Sequence, residues 1–339
     1  MPLTNFPNGV TSFGVPVLSG MSMPFTGDYY FVDPVNGSDG NRGTDMERPF
    51  KTLYKGHAAC TAGNNDVVFL VGNGSTTGTA RLSVANAVLV DSTATTGTLT
   101  WSKNSTHLIG ISAPSANVRA RMAPETADTL ALFGSGNLVS VTASGCTFAN
   151  FSVYHGFATG GASQIAWTDS GGRNSYNGVQ IMGGGDTASS TTNVATMRSL
   201  LVSGSTGEHQ FIGCTIGLDT LARSAGGIEM EFSGGSPRNR FENCTIETNA
   251  GAAGCFWMKV GVGGIDRYAL FRNCAFTNPI GSGATSMTTG FSMDASPGGN
   301  VLLQNCLVYG ATKTDTAQKT YTNTANAASL GGAVVATST

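Results

Sequence analysis

The sequence predicts an all-β solenoid of parallel strands, and three observations carry that prediction. A short strand signature recurs, most plainly as Phe211–Ile216 (FIGCTI), Phe241–Ile246 (FENCTI) and Phe271–Phe276 (FRNCAF). Aligned on its cysteine position the series reads Ile111, Cys146, Val179, Cys214, Cys244, Cys274, Cys306, with spacings of 35, 33, 35, 30, 30 and 32 residues, the period of a coil repeat. A second strand repeats inside the same coils as Ile228–Phe232 (IEMEF), Phe256–Val260 (FWMKV) and Phe291–Ala295 (FSMDA). Gly-rich corners separate these strands, and no helical pattern lies between them to build crossovers.

The second strand assigns faces. Strand side chains alternate with period two, so Met230, Met258 and Met293 are expected to stack in the core. Glu231, Lys259 and Asp294, one residue on, should form an outward ladder of alternating charge, on strands about 4.8 Å apart. In the first signature Phe241 and Phe271 lie three residues before Cys244 and Cys274. Both ends face inward only if the chain bends at Glu242-Asn243 and Arg272-Asn273, which predicts a corner there. Coils of this length exceed what three short strands need, and the surplus is expected as loops at one or two corners.

Composition narrows the function classes. Charged residues make up 11% of the 339 and the net charge is −2, which argues against a nucleic-acid binder driven by phosphate neutralisation. No run of about 18 apolar residues suggests a membrane span. The opening Met1–Pro7 has neither the basic nor the apolar region of an export signal. There are seven cysteines. Cys146, Cys214, Cys244, Cys274 and Cys306 share the repeated inward position, without paired CxxC spacing, and are expected as reduced, packed thiols in a reducing compartment.

The chain divides into an extended arm (1–28), a cap (29–65), the coils (66–310) and a Thr/Ala-rich tail or irregular last coil (311–339). The arm carries Phe6, Phe13, Val15, Val17 and Leu18, too apolar for a solvated linker and too irregular for a coil. It is read either as a partner-binding arm or as a strap across its own solenoid. In the cap, Tyr29–Asp33 reads as a strand, Asn36–Thr44 as a turn series, and the segment from Arg48 as the opening of a helix. Pro49 would sit in its first turn, Gly63 would end it, and Phe50, Leu53, Tyr54 and His57 would share a face. Laid over the open end of the solenoid, that helix would cover unpaired strand edges.

The run Tyr30–Leu53, YFVDPVNGSDGNRGTDMERPFKTL, resembles the N-terminal cap of right-handed parallel β-helix proteins of the pectate-lyase-like superfamily. The opening Leu3–Pro16 together with the coils looks like structural proteins of tailed-phage virions. The first resemblance implies a right-handed parallel β-helix with a cap helix; the superfamily spans lyases, hydrolases, tailspikes and catalytically silent proteins.

Catalytic patterns of such enzymes were sought among the carboxylates and histidines. Glu229 and Glu231 are the best local carboxylate pair, but their equivalents are Trp257 and Lys259, then Ser292 and Asp294, which reads as a structural ladder. No Asp-Asp pair occurs. His155 reads as a loop or surface residue, His107 and His209 as positional, and Asp169, Asp186, Asp219 and Asp266 as turn residues. Trp257 falls on the outward phase, as a sugar-stacking platform or a subunit contact. The resulting expectation is a non-enzymatic virion protein without catalytic, cofactor or metal site. Its role would be head decoration, assembled in the host cytoplasm as a homotrimer and bound to the major capsid protein or another virion protein. The alternatives are a tailspike that recognises host polysaccharide and, third, a polysaccharide lyase.

Overall fold

A computed structural model describes residues 11–12, 15–16, 25–72, 98–112, 120–123, 137–155, 165–185, 197–317 and 319–322. The chain is a right-handed parallel β-helix. Three parallel sheets of ten, eight and seven strands run along one axis. One coil illustrates the winding: Ser236–Glu242 lies in the ten-stranded sheet, Thr245–Ala250 in the seven-stranded, Phe256–Val260 in the eight-stranded, and Ile265–Arg272 returns to the first. Strands Ala311–Asp315 and Thr320–Thr322 continue the eight- and ten-stranded sheets into the Thr/Ala-rich end.

The tight corner between the ten- and seven-stranded sheets lies where the phase break placed it. Asn150, Gly178, Gly213, Asn243, Asn273 and Asn305 occupy it in successive coils, with φ of 54°, 59°, 60°, 54°, 51° and 52°. Only Gly, and to a lesser degree Asn, enters the left-handed region cheaply, which explains the residue choice. Each corner N–H is used by the next coil, as in Asn243 N to Arg272 O at 3.0 Å and Asn273 N to Gln304 O at 2.8 Å.

Inside this corner an aromatic column runs through Phe148, Tyr176, Phe211, Phe241 and Phe271. Centroid spacings along it are 5.0, 4.3, 4.5 and 4.5 Å, and from Tyr176 onward the rings are within 12° of parallel. The strand spacing enforces face-to-face stacking on identical side chains. Beside it Cys214, Cys244, Cys274 and Cys306 stack, continued by Val179 and Phe151 in the preceding coils. Cys146 is not in that column. It precedes Thr147–Ala149 of the ten-stranded sheet, one corner earlier, because the corner segment of its coil is Phe148-Ala-Asn150-Phe151, with Phe where later coils have Cys. All seven cysteines are free thiols, six buried and Cys306 half-buried.

The second column also departs from expectation. Met230 pairs with Met258, but Met258 pairs with Phe291, and Met293 with Val260. The coil of Phe291 and Met293 is slipped by two residues, which keeps the inward face and changes the neighbour. The outward ladder therefore runs Leu201, Glu231, Lys259, Ser292 and excludes Asp294.

The cap helix spans Leu53–Ala59 and contacts the end strands Tyr29–Val32 and Leu99–Trp101, burying Leu53, Gly56 and His57. Its N-cap is Thr52, whose hydroxyl accepts from Lys55 N at 3.1 Å. Asp39, from the turn series, accepts from Lys51 N, Thr52 N and Thr52 Oγ1 at 2.8–2.9 Å. Pro49 therefore lies ahead of the helix rather than in its first turn. Phe50 bridges Val32 before the helix begins and is buried along with Leu53 and His57, so of the expected face only Tyr54, which is exposed, does not point inward. Gly63, at φ +81°, turns the chain four residues after the helix. Of the arm, Thr11–Ser12 pairs antiparallel with Val15–Pro16; Phe6, Phe13, Val17 and Leu18 lie outside the described residues, as does the Val15 side chain.

Candidate functional site

Chemistry gathers at the corner between the seven- and eight-stranded sheets, where strand Thr215–Arg223 leads into Ile228–Phe232. Strand Ile228–Phe232 opens the eight-stranded sheet in the middle of the solenoid. Glu229 has the outward parity of Glu231, yet it is fully buried against the corner with the seven-stranded sheet. Its oxygens accept from Arg223 Nε at 2.9 Å, Arg223 Nη2 at 3.4 Å, Ser199 Oγ at 2.7 Å and Thr248 Oγ1 at 2.9 Å. Arg223, also fully buried, donates onward to Gly184 O at 2.5 Å and Gly183 O at 2.8 Å. Both ions are thus paired and hydrogen-bonded, the condition for keeping charge inside a protein.

Glu247 lies beside this pair, on strand Thr245–Ala250. Ile246, Thr248 and Ala250 face the core and Glu247 the opposite side. Its register partners are Gly217 in one neighbouring coil and Thr277 in the other, with Tyr309 beyond. Gly217, at φ +110°, makes the approach possible: a β-carbon there would lie 1.8 Å from Glu247 O and 3.1 Å from Glu229 Cγ. After Gly217 the pairing with the next coil breaks between Leu218 and Ala222, and this excursion carries the exposed Asp219. Burial, and then the negative charges of Asp219 and Glu229, push the Glu247 carboxyl up to about 7. A carboxyl half protonated near neutrality can both give and take a proton.

Glu231 is held differently. Arg198 Nε reaches one of its oxygens at 2.5 Å and Lys259 Nζ the other at 3.1 Å. The Glu231–Lys259 rung of the expected ladder is therefore present, with Arg198 added.

Several residues stand elsewhere than expected. Trp257 is not on the surface: it is fully buried, its indole N–H donating to Thr277 O at 2.9 Å. It shares the Glu229 position, where the bend between sheets folds outward parity into the interior. His155 is fully buried rather than in an exposed loop. His107 and His209 are buried too; burial drives His107 down to about 4 and lowers His209. Asp169 is a buried hub, accepting from Tyr176 Oη at 2.5 Å, Gly171 N at 2.8 Å and both its oxygens from Asn174 Nδ2. Trp167 Nε1 donates to the same Tyr176 hydroxyl at 3.0 Å. That hub ties the end of one strand to the next sheet and leaves no opening to solvent. Asp266 is exposed beside Arg267, and Asp186 lies outside the described residues.

Glu247 was not singled out from the sequence, because its neighbours come from two other segments. The one available signal was that it is the only acid in a column otherwise holding Gly217, Thr277 and Tyr309. Among the described residues no group of three or more His, Cys, Asp or Glu is placed to hold a metal ion, and no helix is long and apolar enough to cross a membrane.

No protein-family model and no curated protein matches the sequence. Solved structures do match. The pectin methylesterase PemA from Erwinia chrysanthemi aligns with TM-score 0.51 at 14% identity, over 88% of this chain and 91% of its own. A pectin methylesterase from Aspergillus niger gives 0.50 at 14%, over 96% and 92%. Pectate lyase Pel9A gives 0.50 at 12%, over 86% and 78%. What they share with this chain is the fold. These comparisons overturn the expectation of a chain without enzymatic activity, since the structures it resembles are enzymes. Nothing in them bears on a phage origin.

Proposed function

We propose that the chain is a β-helix protein that recognises and cleaves a polysaccharide, in the manner of a receptor-binding tailspike, with Glu247 as the acid and Asp219 as the second carboxylate. The observation that carries the reading is the half-buried Glu247 on the outer side of the seven-stranded sheet, beside the buried Arg223–Glu229 pair, with the exposed Asp219 close enough to help raise its carboxyl. Glycosidic cleavage needs a protonated carboxyl to donate to the leaving oxygen and a carboxylate to assist from across the sugar. Glu247 meets the first need near neutral pH, and Asp219 is exposed within electrostatic reach of it. The outer side of the same sheet offers Thr215, Thr245, Thr277 and Tyr309, partly or wholly exposed, a polar and aromatic surface suited to sugar hydroxyls and ring faces. The shared fold of pectin- and pectate-acting enzymes supports the same reading by analogy.

The proposal retains the virion setting and self-association implied by the sequence resemblance. It assigns the protein to contact with a polysaccharide rather than to decoration of the head shell.

The test is oligosaccharide release from capsular and lipopolysaccharide preparations, followed by mass spectrometry. Glu247→Gln should abolish release while leaving polysaccharide binding intact. Release undiminished in that variant would overturn the assignment of the acid. Products carrying a new double bond would move the reaction to elimination, the lyase alternative.

A further inference from the structure

The column that contains Glu229 runs Leu138, Ala166, Ser199, Glu229, Trp257, Gly290 through successive coils. Every side chain before Gly290 is fully buried, and most are apolar. The fold therefore accepts hydrocarbon here, and an apolar side chain would serve stability as well or better than a buried ion pair. Yet at Ser199 and Glu229 the column turns polar, and Arg223 comes in from the neighbouring strand to meet it. This insertion falls in the two coils that precede that of Glu247.

The contacts of the pair point outward from the core. Arg223 ties three segments: Glu229 on the eight-stranded sheet, the Gly183–Gly184 carbonyls one coil earlier, and its own place at the end of the excursion that bears Asp219. Glu229 takes Thr248 Oγ1, from the residue following Glu247. At Gly217 a side chain would press against both the Glu247 backbone and Glu229 Cγ, and glycine leaves that space free.

We propose that the buried Arg223–Glu229 pair is a positioning unit for Glu247, fixing the segments around it and setting the Glu229 carboxylate behind the Glu247 carboxyl. This rests on the reading of Glu247 as the acid, but its test does not. The groups acting on Glu247 are Asp219 from the excursion and Glu229 from the eight-stranded sheet. Arg223 is bonded both to Glu229 and to the Gly183 and Gly184 carbonyls, and of the pair it is Glu229 whose charge acts on Glu247. An acid held in this way carries its proton at neutrality without contact between the pair and any substrate.

The experiment follows the Glu247 carboxyl directly, by NMR titration of protein labelled with carbon-13 at the glutamate side-chain carboxyl and assigned through Glu247→Gln. Two variants are compared with the parent: Glu229→Gln, and the apolar set Ser199→Ala, Arg223→Met, Glu229→Leu. The second should fold even where the first, which strands the Arg223 charge, does not. In whichever variant keeps the parental circular dichroism, the Glu247 midpoint should drop by about half a unit from its value near 7, since burial and Asp219 act more strongly than Glu229. An unchanged midpoint in a folded variant overturns the proposal. Because no glycan enters this measurement, its failure is distinct from a failure of Glu247→Gln to block cleavage.

Discussion

Gly290 lies directly beneath the indole of Trp257, and a β-carbon at Gly290 would sit 2.5 Å from the ring. The relationship explains the slip of the coil that carries Phe291 and Met293. With Trp257 folded into the interior, the residue paired with it must be glycine, so Phe291 rather than Met293 follows Met258. Gly290→Ala forces the indole to move within a packed interior, and overpacking of this kind costs about 2 kcal/mol. Chemical denaturation of the variant should show that loss, with the near-ultraviolet dichroism of Trp257 altered. A variant as stable as the parent would show that the ring has room.

On the outer ladder Glu231 is held between Arg198 and Lys259. Lys259→Glu places two carboxylates on adjacent strands and removes one of two cationic partners. Lys259 is 39% exposed, so solvent screening limits the effect, and a loss of about 1 kcal/mol is expected. Raising the salt concentration should shrink the difference between variant and parent. A loss independent of salt would mean that the lysine stem, not its charge, matters.

These features were legible in the sequence to unequal degrees, for physical reasons. The aromatic column and the asparagine corner were visible because each coil must answer the same steric question with the same residue type. Phe211, Phe241 and Phe271 therefore repeat at fixed offset from Gly213, Asn243 and Asn273. Cys146 misled because Cys-Thr recurs at Cys214 and Cys244, whereas the bend is set by Asn150, and Phe151 fills the thiol position. Met293 misled because a slip of two residues preserves the inward face, so period two cannot detect it. Glu247 was hidden for a different reason. Its environment depends on Asp219, carried on an excursion, and on Glu229, folded inward at a bend between sheets, and neither relation leaves a local pattern.

The stacked thiols make a kinetic prediction. Burial raises Cys60 and Cys146, to about 12 and about 11. In the column, Cys274 stands at about 12, its neighbour Cys244 being the largest cause and burial adding to it. Alkylation proceeds through the thiolate, so the native protein should react slowly, with half-buried Cys306 first. Mass analysis after native and then denaturing alkylation should find the six buried thiols labelled only in the second step, with Cys306 alone beginning to react in the first. Rapid native labelling of Cys244 or Cys274 would contradict the packing.

The last prediction concerns the stability that Glu247 gives up. Its carboxyl is raised from 4.5 to about 7 in the folded protein, so between those values the folded state holds a proton that the unfolded chain has released. Stability therefore falls as pH rises through this window, and the penalty is complete above about 7. For a carboxyl that retains partial exposure the penalty amounts to about 2 kcal/mol. Glu247→Gln removes the titration and keeps the shape. The variant should match the parent in acid, where both side chains are neutral, and exceed it by about 2 kcal/mol above neutrality, where only the parent buries a charge. Denaturation midpoints measured across that range decide the matter. A variant that is less stable than the parent at alkaline pH would mean that ionised Glu247 has a favourable partner in the folded state, and would remove the basis for treating it as a raised acid.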